Sequence, residues 1–157
     1  MNRVLNGTNF MDADGVITIR LVHAPIELAQ WSDAIGDPDV GSHGWFAGVT
    51  RRKTKDDAGV IRITKTLYYE AHQSMARQQL LRIATEAKQR FNLFNVVIVH
   101  RLGNVPIGEA SVLVGCSSAH RRETFAALPM IMDQLKADVP IWKRETYQDE
   151  SSEWIHP

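Results

Sequence analysis

Three stretches of this chain carry cationic side chains where folding alone would not place them. The first is Ser118-Ala119-His120-Arg121-Arg122. Ser117 and Ser118 are expected to open a long helix running to about Ala137. A helix N-terminus exposes N–H groups and a partial positive charge, so it favours acidic residues or a bound anion. Here the first turn holds His120, Arg121 and Arg122, and Glu123 offsets only part of that charge. Two readings stand. The turn is an anion site that grips a phosphate, or the arginines point to solvent and pair with surface acids.

The second is Lys136. Phe125, Leu128, Met132 and Leu135 mark the apolar stripe of the same helix, and Lys136 lies one turn after Met132, on or beside that stripe. Desolvation lowers the pKa of a lysine at a buried edge, and a neutral amine can act as nucleophile or base. The competing reading is a C-terminal lysine that snorkels to water and complements the helix dipole. Pro129 inside this helix is expected to kink it. The third stretch is Pro140-Ile141-Trp142-Lys143-Arg144-Glu145. In an extended segment Ile141, Lys143 and Glu145 share one face, while Trp142 and Arg144 share the other. Each face therefore sets a cation beside an apolar group, as an edge strand protected by lysine also would.

Other candidates are weaker. His100-Arg101 follows a strand and precedes a Gly turn, a position that suits a hydrogen-bonded strand-end histidine. Gly48-Val49-Thr50-Arg51-Arg52 can add a cation to the same site. The remaining histidines show no HxxxH or HExxH spacing, and no GxGxxG or GxxxxGK[ST] occurs. The sequence therefore leads us to expect no metal and no resident cofactor. Cys116, the single cysteine, sits in an alternating apolar run and reads as a buried strand residue.

The elements that must position these residues follow from periodicity. Val16–Val22 is a β-branched strand, and Pro25–Ile35 reads as a short helix stopped by Gly36. Trp45–Arg51 is a second strand. Arg52–Gly59 is a charged hairpin loop or small lid, and Ile61–Ala71 is the returning strand. Ser74 is placed to cap a helix in which Leu80, Ile83, Ala84, Ala87 and Phe91 recur at helical spacing. Val96–Arg101 is a strand, Gly103–Gly108 a turn, and Ala110 to Cys116 alternate along another strand. Ile141–Thr146 is extended, and the tail after it is short. The order is β-α-β-β-α-β-β-α-β. Strand pairs joined by short turns favour an α+β fold with an antiparallel or mixed sheet and flanking helices. Residues 1–15 read as a loose N-terminal extension and 16–157 as one domain.

With 157 residues the chain can bury a core without disulfides. Lys+Arg and Asp+Glu are equal at 18 each, which argues against a general nucleic-acid or membrane-surface binder. An RNA-binding sheet domain would need aromatics interleaved with a basic surface. No apolar run is long enough to span a bilayer. The N-terminus lacks the basic-then-apolar order of a signal peptide, and a single cysteine, unable to form an internal disulfide, fits a reducing, cytoplasmic setting.

Several segments, in order and spacing, resemble the large subunit of molybdopterin synthase, the MoaE-type family. They are Phe46-Ala47-Gly48-Val49-Thr50-Arg51, Leu67-Tyr68-Tyr69-Glu70-Ala71 with Met75, Val99-His100-Arg101-Leu102-Gly103 and Gly108-Glu109-Ala110. Ser117-Ser118-Ala119-His120-Arg121 follows, then Met132-Asp133-Gln134-Leu135-Lys136 and Val139-Pro140-Ile141-Trp142-Lys143-Arg144-Glu145. The resemblance implies an α/β-hammerhead fold and a homodimer. Each chain would take up one small, ubiquitin-like sulfur-carrier subunit to give a heterotetramer. The carrier's Gly-Gly tail, ending in a thiocarboxylate, would thread into a pocket. Two sulfur transfers would convert cyclic pyranopterin monophosphate (precursor Z) to the dithiolene of molybdopterin, in molybdenum cofactor biosynthesis. The resemblance puts the active-site lysines at Lys136 and Lys143 and the anion-binding residues at Arg51, His120 and Arg121. Phe46 and Met132 would line the pocket. The chain departs from the family in its first fifteen or so residues and at Pro129. It also has no arginine after Arg144, where some members carry one that reaches the partner subunit's pocket. The alternative is a non-catalytic dimeric module that docks a ubiquitin-like tail or a phosphorylated ligand. Such a module would need the arginines but not the stripe-edge lysine.

Overall fold

The structure is a computed structural model that describes residues 8–12, 15–56 and 58–155. Its centre is β6 (Val96–Arg101), a run of four β-branched residues followed by His100 and Arg101. All six are buried, which suits a strand covered on both faces. Beside it run β2 (Gly15–Val22), in parallel, and β8 (Ala110–Ser118), antiparallel. β1 (Thr8–Asp12) and β3 (Ser42–Val49) form the edges, giving the order β1-β2-β6-β8-β3. Part of the expected extension over 1–15 is thus a strand on β2, and residues 1–7 lie outside the described ones. At the outer pair Trp45 faces Gly115 across the ladder. A Cβ on Gly115 would stand 2.2 Å from the Trp45 ring, so the close approach requires glycine.

Two helices cover one face of this sheet. α1 (Gln73–Phe91) turns Ala76, Leu80, Ile83, Ala84 and Ala87 inward, at the spacing the sequence shows. Its cap is His72 rather than the expected Ser74. The His72 N–H binds the Pro140 carbonyl at 3.2 Å, which holds His72 at the end of a strand. Its ring nitrogen accepts from the Met75 N–H, and Ser74 falls inside the first turn. α2 (Arg121–Asp138) starts later than the expected opening at Ser117 and Ser118. Backbone bonds from Ser117 N–H to Asn95 and from Gly41 N–H to Ser118 keep both serines in the sheet. The N-cap is His120, which makes no side-chain cap bond. Pro129 is accommodated within α2, which continues to Asp138.

The other face is closed by Trp31 and Ile35, packed on Val97, Val99 and Leu113. The expected helix over 25–35 is instead two 3-10 turns, Leu28–Gln30 and Ser32–Ile35. So short a segment gains little from helix propagation, and seating two inward side chains decides its path.

A second, antiparallel sheet carries the rest. β5 (Ile61–Ala71) pairs with β9 (Ile141–Tyr147), which pairs with β10 (Ser152–Ile155). On its other side β5 takes up β4 (Lys53–Lys55) and β7 (Gly103–Pro106). The charged loop, the Gly turn and the tail of the sequence reading therefore each contain a short strand. The β5–β9 register shifts between Thr64 and Thr66, and such bulges re-aim side chains. Among the described residues no helix is long and apolar enough to cross a membrane.

Candidate active site

The two sheets and the C-terminal half of α2 enclose a cleft of about 1210 Å³. Each wall contributes a residue singled out above. Phe46 comes from the edge strand β3, 38% exposed, and Arg51 from just beyond it. The backbone of Thr50 holds that corner, donating to Glu109 and accepting from Gly108. Met132 and Lys136 stand one turn apart on α2. Met132 is buried, whereas Lys136 is exposed at the rim. Lys143 comes from the middle of β9, half-buried, opposite Tyr69 on β5 and Ile155 on β10.

The cleft thus gathers Phe46, Arg51, Met132, Lys136 and Lys143 in one chain. It does not gather His120 and Arg121. They sit exposed at the far end of α2. Fifteen residues of helix separate Arg121 from Lys136, a rise of about 22 Å.

Electrostatics single out Lys143. Burial pushes its ammonium below the ordinary lysine range, Glu145 pushes it back up, and Lys136 and Arg51 lower it further. Three cations facing one half-buried spot attract an anion. An amine with a lowered pKa can exchange a proton nearer neutrality than an ordinary lysine.

Three further cleft residues, Glu145, Tyr69 and His100, escaped the sequence reading as site members or were weighed only lightly. Glu145 is 3% exposed, yet it is a carboxylate. The hydroxyls of Thr54, at 2.7 Å, and of Thr64 both donate to its Oε1. Its two-residue spacing from Lys143 was the available signal. Tyr69 bonds through its hydroxyl to Ser111, whose Oγ donates to the Gly48 carbonyl at 3.2 Å, so the phenol ties β5 to β8 and β3. Burial pushes that phenol up and keeps it protonated. Its ring meets His100 edge-on, with centroids 5.1 Å apart. His100 is the hydrogen-bonded strand-end histidine expected from sequence. Its Nδ1 donates to the Arg101 carbonyl at 2.9 Å, and burial lowers its pKa to about 4, so the ring is neutral at pH 7. Cys116 is fully buried, and burial raises its thiol to about 12, which fits a core residue and not a nucleophile.

With this geometry in place, known proteins offer a comparison. Residues 21–138 match the family model described as MoaE protein. A molybdopterin synthase catalytic subunit from Thermoplasma volcanium is 38% identical over 117 residues, covering 74% of this chain and 82% of that protein. One of the same description from Drosophila willistoni is 36% identical over 138 residues, covering 87% of this chain. The match takes in only 36% of the Drosophila protein, so the chain spans about a third of that relative. The crystal structure of molybdopterin synthase from Staphylococcus aureus superposes with a TM-score of 0.78 at 30% identity, covering 87% of this chain and 96% of that one.

Proposed function

The chain belongs to the MoaE protein family, and from that premise we propose that it is the catalytic subunit of a molybdopterin synthase. It transfers sulfur from the C-terminal thiocarboxylate of a small ubiquitin-like carrier subunit to cyclic pyranopterin monophosphate, forming the molybdopterin dithiolene. The observation that carries this reading is the convergence of Arg51, Lys136 and Lys143 on one cleft. Both substrates are anionic, one through its phosphate and the other through its thiocarboxylate. A cationic cleft steers and orients both.

The carrier's sulfur bonds to a side-chain carbon of the pterin and displaces an oxygen substituent there; water then adds to the acyl carbon, its bond to sulfur breaks, and the carrier leaves as a carboxylate while the sulfur stays on the pterin. Negative charge develops on the acyl oxygen along the way. The ammonium groups of Lys136 and Lys143 stabilise it, and Lys143, its pKa lowered by burial, supplies or accepts the proton. Phe46 and Met132 give the cleft its apolar wall. Cys116 has no part, since the carrier brings the sulfur.

His120 and Arg121 lie too far from Lys136 to serve the same chain's cleft. They complete the anion site from the second chain of a homodimer, which with two carriers makes a heterotetramer.

The test is a reconstituted assay with thiocarboxylated carrier and cyclic pterin phosphate. Lys136→Ala should lower turnover at least about a hundredfold while still binding the carrier. Full activity in that variant overturns the assignment. Mixed dimers test the cross-subunit site. Lys136→Ala chains combined with Arg121→Ala chains should regain activity that neither homodimer has, because one cleft in the hybrid is intact.

A further inference from the structure

Thr54 lies in β4, a three-residue strand of the basic segment between Arg51 and Gly59, and its neighbours Lys55 and Asp56 line the cleft. It is far in sequence from β9, yet its hydroxyl donates to the Glu145 carboxylate at 2.7 Å. Thr64, on the paired strand β5, donates to the same oxygen. Glu145 shares a strand face with Lys143, two residues away, so about 7 Å of strand separates their Cα atoms. Across the β9–β10 ladder it also faces Glu153. A buried carboxylate so placed would ordinarily swing toward the nearest ammonium. Among the described residues, however, Lys143 makes no ion pair. Glu153 is satisfied separately, by the Tyr147 hydroxyl and by Arg62 at 3.3 Å.

We infer that Thr54 is a positioning residue of the sulfur-transfer site: its hydroxyl clips β4 to Glu145 and holds that carboxylate off the Lys143 ammonium. This rests on the proposed role of Lys143. The clip joins two things that the reaction needs together. It seats the β4 segment at the cleft, and it leaves Lys143 under the field of Glu145 without being captured by it. Release of the clip leaves β4 on β5 through its backbone ladder but lets the carboxylate pair with Lys143, which removes the ammonium from the substrate. The Thr64 hydroxyl lies 3.0 Å from that of Thr54 and bonds the same carboxylate, so loss of the Thr54 hydroxyl leaves Glu145 with one hydroxyl donor in place of two.

The experiment uses the full chain with thiocarboxylated carrier and cyclic pterin phosphate. Thr54→Val keeps the shape and loses the donor, whereas Thr54→Ser keeps the donor. Loss of one charge-assisted bond should lower kcat about tenfold in Thr54→Val, with carrier affinity within about twofold of the parent. Thr54→Ser should stay within about twofold of the parent in kcat. Parent-level kcat in Thr54→Val beside an inactive Lys143→Ala overturns the clip and leaves the proposed function standing. A Thr54→Ser variant as impaired as Thr54→Val also overturns it, since the methyl and not the hydroxyl would then matter. Parent-level turnover in Lys143→Ala overturns the reading of the site, and the clip falls with it.

Discussion

The two sheets use the same backbone pairing for opposite ends. In the first, β6 and β8 are covered on both faces, and Ile98, Leu113 and Val114 are at most 1% exposed. In the second, one row of side chains, Tyr69, Lys143 and Glu145, looks into the cleft, while Glu70, Trp142 and Trp154 remain exposed. The first sheet gains its stability from burial. The second places charge at a half-buried surface and holds it there with hydroxyls. Stability and chemistry are thus assigned to different strands, and substitutions should separate them.

The largest effect belongs to the first sheet. Ile98→Ala removes a fully buried side chain between β6 and the two helices and should cost about 4 kcal/mol in urea denaturation. A loss under about 1 kcal/mol would break the comparison, because β6 would then not be the core strand.

Next comes His100, where the two sheets meet. Its folded pKa is about 4, below the ordinary histidine value of 6.5. Above pH 6.5 the ring is neutral in both states, so it costs nothing. As pH falls from about 6.5 to about 4 the unfolded chain takes up a proton that the folded chain refuses. Stability contributed at this site therefore falls by about 3 kcal/mol across that window and levels off below it. His100→Gln should flatten that part of the curve. An unchanged slope would show that His100 is not the refusing group.

Lys143→Ala then tests the second sheet. Turnover should drop about a hundredfold, with the urea midpoint little changed, since among the described residues the ammonium makes no ion pair. The pH profile sharpens this. Where the protonated amine is needed, activity falls as pH rises through a pKa lying below 10.5. Of the charged groups around it, Lys136 and Arg51 lower that value and Glu145 raises it. Glu145→Gln should therefore move the alkaline limb to lower pH. A shift to higher pH would contradict the placement of Glu145 beside Lys143.

The same division explains what the sequence could tell. Val96–Arg101 and the α1 stripe announce themselves because burial on a period leaves a local pattern. Lys143 and Lys136 were legible as rule-breakers on their own elements, and family resemblance joined them. Thr54 and Thr64 left no such trace, and Glu145 left only its two-residue spacing from Lys143. Each is unremarkable in its own strand, and the bonds between them span residues 91 and 81 positions apart. The start of α2 was misplaced for a related reason. Ser117 and Ser118 have good capping chemistry, but sheet bonds to Asn95 and Gly41, remote in sequence, claim them first. Likewise nothing in a linear pattern measures the length of helix between Arg121 and Lys136, so the sequence does not tell whether they meet within one chain or across two.

The smallest effect should come from the outer edge of the second sheet. Lys65 sits at the bulge of β5 and pairs with Glu150 at 2.6 Å, a good distance for an ion pair. Their side chains are 52% and 71% exposed, so water screens the charges and both chains lose rotamer freedom on pairing. Lys65→Ala should therefore change stability by no more than about 0.5 kcal/mol, less still at high salt. The Glu150 backbone is at φ 65 with its N–H on the Tyr147 carbonyl, so the turn between β9 and β10 holds without the lysine. A loss above about 2 kcal/mol would mean that the bulge depends on this pair. It would then carry stability on the sheet assigned to chemistry, and the division between the two sheets would fail at its least protected strand.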